Sequence, residues 1–261
     1  MISDFIFDGK ALSDFGYMLS YENSEDVLDV SKMQYNTVKG ALSDVSYRVS
    51  YSYEQNYTST FTIVKSYCDF EPDELFMTND DISEMTRWLA RKQYKWFRFI
   101  DDNDDDEIWY KVQFQIAKEY VGDNVIGLQL TVTADSPYGF TREIKREVTD
   151  TEVVNISSDE EGYIYPTCRI ECASGTVNIT VVSNGNTYTT IIKNCTAGEI
   201  ITIDGETLQI SSSVDHDFTK DFNYVFPRLC NTYGNGRNEI TVSSGTTLTL
   251  KYRGIRKVGL E

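Results

Sequence analysis

Apolar and polar residues alternate along much of the chain, and this period of two is the feature that most restricts its fold. In the N-terminal third the alternation is clearest over residues 45–53, where Val and Tyr take every second position. Such spacing places the apolar side chains on one face of a β-strand. The aromatic residues, chiefly 18 Tyr and 13 Phe, also favour strands. The sequence therefore predicts a mainly β protein whose strands each bury one face.

One segment departs from this alternation and has helical spacing. Its apolar residues are three and four positions apart: Ile82, Met85 and Leu89. Thr78 or Asn79 can cap the first amide groups, and acidic residues follow in the first turn, where the helix dipole favours them. We predict one helix over residues 80–92, with Trp88 widening the apolar stripe that packs against a sheet.

An acidic loop, residues 101–107, joins two predicted strands of a hairpin over residues 96–100 and 108–114. Clustered carboxylates can bind Ca²⁺, but an EF-hand loop needs Gly at its sixth position and Glu at its twelfth. Counted from Asp101, those positions hold Asp106 and Val112. We therefore interpret the loop as a solvated hairpin tip that discourages edge-to-edge pairing.

The C-terminal half contains short predicted strands separated by turn residues and no predicted helix. The strands are expected over residues 163–172, 176–183, 187–193, 200–203, 206–211, 238–243 and 246–252. Residues 141–160, with fewer apolar positions, read as a crossing strand or a linker. Regular short strands of this kind indicate a β-sandwich. With a turn cluster at residues 135–139, this pattern predicts two domains, 1–140 and 141–261. The last residues, about ten, could stay in the second domain or pack on the first.

The net charge of −17 excludes one large class of function. Nucleic-acid binders neutralise phosphates with clustered Lys and Arg, whereas this chain repels polyanions and anionic membrane surfaces. Residues 1–140 carry 12 basic and 25 acidic residues, a net charge of −13, and residues 141–261 carry 12 and 16, a net charge of −4. No secretion signal and no apolar run long enough for a membrane span is visible.

The sequence shows no catalytic, cofactor-binding or metal-binding equipment. It has five Cys, without a CxxC motif, and one His, so a tetrahedral zinc site is not expected. We interpret the Cys residues as small core residues in a reducing compartment. His216, between Asp215 and Asp217, is predicted to lie in a surface turn, and no nucleophile elbow or phosphate-binding loop accompanies it. We therefore expect a binding or assembly protein and not an enzyme.

Three stretches resemble the distal tail protein (Dit) family of long-tailed, siphovirus-type bacteriophages and prophages. The first reads Phe5-Ile-Phe-Asp-Gly9-Lys and continues to Asp14-Phe15-Gly16. The second runs from Ile63-Val-Lys and Cys68-Asp-Phe70 through Arg87-Trp88-Leu89 and Lys95-Trp96-Phe97-Arg98-Phe99 to Asp135-Ser136-Pro137-Tyr138. The third comprises Asn223-Tyr-Val-Phe226-Pro227-Arg-Leu229, Asn238-Glu-Ile240-Thr-Val242 and the C-terminal Tyr252-Arg253 with Arg256-Lys257-Val258-Gly259-Leu260.

The resemblance implies a virion structural protein of the tail tip, made in the host cytoplasm. Six copies would form a baseplate ring with a channel for DNA passage. An N-terminal β-sandwich or split barrel with one helix would build the ring, and a C-terminal galectin-like β-sandwich would project outward. The implied partners are the tail tube, the tail-associated hub protein and the receptor-binding protein, without sequence-specific nucleic-acid binding, membrane insertion or a cofactor. An acidic channel would let DNA slide, because it offers no counterion release.

The subunit contact is expected between the acidic hairpin tip and the basic C-terminal stretch of a neighbour. The predicted interface residues are Asp102, Asp104, Asp105, Asp106, Arg253, Arg256 and Lys257. Two other functions stay open. One is a carbohydrate-binding β-sandwich at a cell or virion surface, although the second domain has no Trp to stack on a sugar. The other is a cell-wall hydrolase of the tail tip, which would need catalytic groups that the sequence does not show.

Overall fold

The computed structural model describes residues 2–20, 33–39, 46–53, 56–101, 107–232 and 236–257. Its contacts define two compact units, the first containing the residues up to Gly139 together with Lys257, and the second spanning Phe140–Arg256. Both units are built mainly from antiparallel strands, which confirms the predicted fold class. In the described ranges, no helix is long and apolar enough to cross a membrane.

The first unit is built on one seven-stranded antiparallel sheet and one α-helix. Its elements are β1 (Ile2–Phe7), β2 (Lys10–Ala11), β3 (Tyr17–Ser20), β4 (Met33–Lys39), β5 (Ser46–Tyr53), β6 (Thr58–Lys65), α1 (Asn79–Leu89), β7 (Lys95–Asp101), β8 (Tyr110–Val121) and β9 (Asn124–Ala134). The sheet has the strand order β2-β1-β7-β8-β9-β6-β3. The predicted hairpin is present as β7 and β8, which pair in an antiparallel register from Lys95 opposite Val112 to Phe97 opposite Tyr110.

Helix α1 begins where the sequence predicts but ends three residues early. Thr78 caps it through a capping box, because its hydroxyl accepts the N–H of Asp81 and the Asp81 carboxylate accepts the N–H of Thr78. The predicted end at residue 92 is wrong. Ala90 leaves the helical conformation, with ψ at 84°, and the Arg91 side chain reaches the Asp8 carboxylate at 3.3 Å.

Aromatic side chains join the helix to the sheet. The indole ring of Trp88 stacks on Phe5 and Phe15, with centroids 5.7 and 4.5 Å apart, and its Nε1–H donates to the Phe7 carbonyl at 3.2 Å. The stripe predicted to be core is therefore core, and the buried indole N–H has an acceptor, as such groups require.

The β4–β5 hairpin forms a separate two-stranded sheet. The strand predicted over residues 45–53 is present as β5, but the expectation that Val49 belongs to a buried face is wrong, since this side chain is 67% exposed. The physical reason is that, among the described residues, β4 and β5 pair with each other and not with the seven-stranded sheet.

The second unit is a sandwich of a five-stranded and a four-stranded sheet. Its elements are β10 (Gly139–Phe140), β11 (Ile144–Val148), β12 (Thr151–Asn155), β13 (Gly162–Ile164), β14 (Thr167–Glu171), β15 (Gly175–Ser183), β16 (Asn186–Cys195), β17 (Ile200–Ile203), β18 (Ile210–Ser212), α2 (Phe218–Asp221), β19 (Leu229–Asn231), β20 (Arg237–Val242), β21 (Thr247–Tyr252) and β22 (Ile255–Arg256). The sheets have the orders β11-β21-β14-β17-β18 and β12-β20-β15-β16. Apolar residues of both sheets form one core, including Ile170, Ile179, Ile240 and Leu248.

Four details of the second unit differ from the sequence prediction. Residues 141–160 hold two strands, β11 and β12, because Val148 and Val154 are buried between the alternating charges. The strand predicted over residues 163–172 is broken near Pro166, which has no N–H to donate. The strand predicted over residues 206–211 begins only at Ile210. The reason is that the Asp204 carboxylate accepts the N–H groups of residues 206 and 207 and so holds them in a turn. The short helix α2 was not predicted.

The edge of β16 is covered by the segment that follows α2. Phe222 forms an isolated antiparallel bridge with Ile192. The Asn223 side chain accepts the N–H of Ile191 at 3.1 Å and donates to the carbonyl of Thr189 at 2.9 Å. The side-chain amide of Asn223 thus pairs with backbone N–H and C=O groups of β16 that a neighbouring strand would otherwise bind.

Candidate functional site

Glu199, Ser212, His216 and Asp221 form a buried polar cluster in the second unit. His216 Nδ1 lies 2.7 Å from Glu199 Oε1, and His216 Nε2 lies 3.6 Å from the Asp221 carboxylate. The side chains of His216 and Glu199 are 3% and 0% exposed. Glu199 also accepts hydrogen bonds from the Ser212 hydroxyl and a backbone N–H. The prediction of a surface turn for His216 is therefore wrong, because this side chain turns inward between two carboxylates.

The hydrogen bonds decide the charge state of Glu199. Burial favours the neutral acid, but the donors Ser212, the Thr196 N–H and His216 together outweigh it and lower the pKa of Glu199 below its ordinary value. A charged carboxylate is thus held by an imidazole and a hydroxyl inside the sandwich. Such a cluster fixes the position of the loop that carries His216.

The same geometry does not form a catalytic triad. In a triad the imidazole touches a nucleophilic hydroxyl and an orienting carboxylate with its two nitrogens. Here the Ser212 hydroxyl binds Glu199, and the second nitrogen of His216 faces Asp221. The burial of His216 also removes it from the set of side chains that could contact a sugar.

We expect the second unit to become less stable at acid pH, because Glu199 becomes protonated. Because its folded pKa lies below the ordinary value of 4.5, the contribution of this carboxylate to stability is complete above pH 4.5 and is lost as the pH falls through the folded pKa. Hydrogen exchange of the β17 and β18 amides, measured between pH 6 and pH 3 and corrected for intrinsic rates, should show this loss. The variant Glu199→Gln should show a shallower dependence on pH, and an equal slope in both proteins would contradict the prediction.

A second buried charge ties the first unit together. Lys65 Nζ lies 2.9 Å from the Asp81 carboxylate and donates to the carbonyls of Glu74 and Phe76 at 3.0 and 3.3 Å. It also lies 4.7 Å from the centroid of the Phe70 ring. The segment between β6 and α1 is thereby fastened to the end of the sheet. Lys65 falls on the same alternating face as Ile63, a signal that could have predicted its burial.

The cysteines are core residues with one exception. Cys168, Cys172, Cys195 and Cys230 are buried, as predicted, and burial raises the pKa of the Cys172 thiol to about 12. Cys68 is exposed, so the prediction is wrong for this residue. It sits in the turn after β6, where the chain has left the sheet.

The predicted interface residues fall into two groups. Asp102, Asp104, Asp105 and Asp106 lie outside the described residues. Arg253 donates to the Thr141 carbonyl at 2.8 Å, and Arg256 donates to Ser157 and lies 3.7 Å from the Asp159 carboxylate. Both guanidinium groups thus contact their own unit. Lys257 is exposed to solvent. Contact of these cations with a neighbouring subunit stays a prediction.

No group of three or more His, Cys, Asp or Glu side chains suited to a metal ion occurs in the described ranges. The two units present a mainly β framework with ordered charge clusters around Lys65 and His216.

Comparison with known proteins identifies the family of the chain. The family model described as a phage tail protein N-terminal domain matches residues 1–136, and the one described as a phage tail C-terminal domain matches residues 137–252. The chain therefore belongs to this family of phage tail proteins. It is a structural component of the virion and not an enzyme. No curated protein sequence matches it.

Two solved structures share the fold over nearly the whole chain. The Dit protein of phage SPP1, described as a paradigm of the hub adsorption apparatus in phages infecting Gram-positive bacteria, is 12% identical with a TM-score of 0.64. The match covers 97% of this chain and 99% of that one. A chain of the phage P2 baseplate, in its activated conformation with Ca, is 10% identical with a TM-score of 0.57 and coverages of 96% and 98%. The likeness confirms the Dit-like fold that the resemblance predicts.

Proposed function

We propose that the chain forms a hexameric ring at the distal end of the tail tube, with a central channel for DNA. The ring would act as the hub between the tube and the tail-associated and receptor-binding proteins. The observation that carries this proposal is the full-length likeness to the SPP1 Dit protein, in which both units match in one chain. In this proposal the first unit builds the ring and the second projects from it.

The β4–β5 hairpin supports a subunit contact through the first unit. An isolated two-stranded hairpin is marginal in water and needs packing from elsewhere. Val38 and Val49 are 59% and 67% exposed, so this hairpin offers apolar surface that a neighbouring copy could bury. A ring needs such a heterologous contact, in which two different surfaces meet and the rotation closes.

The mass of the purified protein in solution tests the proposal. Light scattering behind a sizing column, over a range of concentrations, should show a closed species of about six times 29.9 kDa. Negative-stain images of that species should show a ring with a central opening. A strict monomer at every concentration would contradict self-assembly into a ring.

Charge reversal at Lys257 is expected to weaken the ring at low salt. The proposed contact joins this exposed cation to an acidic tip, and such an attraction is strongest when counterions are few. Lys257→Glu should raise the protein concentration at which hexamer forms by about tenfold, corresponding to about 1.4 kcal/mol. The measurement is light scattering at low and high NaCl. Lys193→Glu, an exposed charge reversal on β16, is the control and should leave the hexamer unchanged.

A further inference from the structure

Arg228 lies between two tyrosine rings of the second unit, immediately before β19. Its guanidinium carbon is 3.8 Å from the ring centroid of Tyr188 on β16 and 4.5 Å from that of Tyr163 on β13. The two rings meet edge to face at 86°, and their hydroxyl groups are 3.2 Å apart. Three separate elements therefore hold one cation in a defined orientation, and Tyr163 remains 51% exposed beside it.

The guanidinium of Arg228 lacks the acidic partner that five other arginines among the described residues have. Carboxylates pair with other arginines as follows: Asp8 with Arg91, Glu107 with Arg98, Glu171 with Arg169, Glu239 with Arg237 and Asp159 with Arg256. Within the described part of the chain, no carboxylate forms an ion pair with Arg228, and its buried Nε finds no hydrogen-bond acceptor. A guanidinium carries five N–H donors, and an unmatched buried donor is costly. Arg228 is partly exposed, and its terminal Nη groups form no hydrogen bond or ion pair within the described residues, so these groups, and not the buried Nε, can donate to an acceptor from outside the chain.

We propose that Arg228, Tyr163 and Tyr188 form a docking site for an acidic side chain, Asp or Glu, presented by a partner protein. The carboxylate would accept two parallel hydrogen bonds from the guanidinium, and the tyrosine rings would pack against the neighbouring groups of the partner. That the partner is another tail protein rests on the proposed function. The chemistry of the site does not depend on it.

A protein partner fits this site better than a polyanion. A chain with a net charge of −17 repels a polymer of phosphates or uronic acids, whereas a single carboxylate on a folded partner adds little repulsion. Tyr and Arg are also the residue types that concentrate binding energy in protein interfaces. Because stacking already orders the guanidinium, less conformational entropy is lost when it binds.

The Arg228 Nε–H resonance of the ¹⁵N-labelled full-length chain gives a direct test. The resonance can be assigned by its loss in Arg228→Lys. We expect a saturable shift at low salt with the blocked peptide Gly-Gly-Glu-Gly-Gly, and a shift at least tenfold smaller with the glutamine version of the same peptide. Added NaCl should reverse the shift. Equal shifts with both peptides, or no shift with either, would overturn the proposal.

Further measurements distinguish a carboxylate site at Arg228 from a phosphate site and from an effect on the ring. Arg169→Lys, at an arginine already paired with Glu171, should leave the titration unchanged, whereas Tyr163→Ala should weaken it severalfold. Saturation by inorganic phosphate at a tenfold lower concentration than the glutamate peptide would instead indicate a phosphate ligand and overturn the carboxylate assignment. The Arg228→Gln variant should form the hexamer to the same extent as the unmodified protein, as measured by light scattering. A failure of ring formation can therefore be distinguished from a failure of Arg228 to bind a carboxylate.

Discussion

Replacement of Lys65 by methionine is expected to lower the free energy of unfolding of the first unit by about 3 kcal/mol. The Lys65 side chain is 6% exposed and supplies its ammonium to one carboxylate and two carbonyls. Methionine fills a similar volume but donates nothing, so these three acceptors lose a buried partner. The value lies at the lower end of the range for a broken buried pair, because Asp81 is 24% exposed and keeps its hydrogen bonds from Thr78.

Tryptophan fluorescence during urea denaturation can measure this effect selectively. All three tryptophans of the chain, Trp88, Trp96 and Trp109, lie in the first unit. Lys118→Met removes an exposed lysine of β8 and is the matched control, which we expect to change stability by less than about 0.5 kcal/mol. A loss below about 1 kcal/mol for Lys65→Met would mean that water replaces the ammonium, and would contradict the prediction.

The variant His216→Leu is expected to destabilise the second unit by about 3 to 4 kcal/mol. Leucine leaves the Glu199 carboxylate buried without its imidazole partner, and it removes the ring nitrogen that lies 3.6 Å from the Asp221 carboxylate. The loop carrying α2 would lose its main polar attachment to the sandwich. Amide hydrogen exchange in β16, β17 and β18 should therefore accelerate, while exchange in the first unit should not change.

A double variant distinguishes charge from packing at this position. In Glu199→Gln with His216→Leu the buried charge is gone, so much of the lost stability should return. Asp215→Asn, an exposed change beside His216, is the control and should have little effect. If the double variant is less stable than His216→Leu alone, the imidazole contributes by packing on Phe218, whose ring centroid is 4.5 Å away, and the charge argument fails.

Local signals account for what the sequence predicts well. The start of α1 depends on Thr78 and Asp81, three positions apart, and the β7–β8 hairpin depends on two alternating runs around one polar loop. Both patterns are complete within a few residues. The end of α1 is less predictable, because the backbone leaves the helical conformation at Ala90, and no Gly or Pro stands there in the sequence to mark it.

The two polar clusters around His216 and Arg228 arise from contacts between distant parts of the sequence. His216 is flanked by Asp215 and Asp217 and reads as a surface residue, but its partner Glu199 is 17 positions away. Arg228 belongs to a stretch that supports the family resemblance, yet the rings that hold it come from strands β13 and β16. Only the fold brings these groups together. The residues next to His216 and Arg228 in the sequence therefore predict neither the burial of His216 nor the unpaired donors of Arg228.

The amide of Asn223 at the margin of β16 has a consequence for how copies of this protein can meet. An uncovered edge strand presents unpaired N–H and C=O groups with which a strand of another chain can pair. A high local concentration of copies favours such pairing, which can continue from copy to copy. Asn223 occupies the N–H of Ile191 and the carbonyl of Thr189, and Phe222 blocks the next position at Ile192. A further strand therefore cannot pair with β16 over residues 189–192, so another copy cannot extend the four-stranded sheet there without displacing this segment.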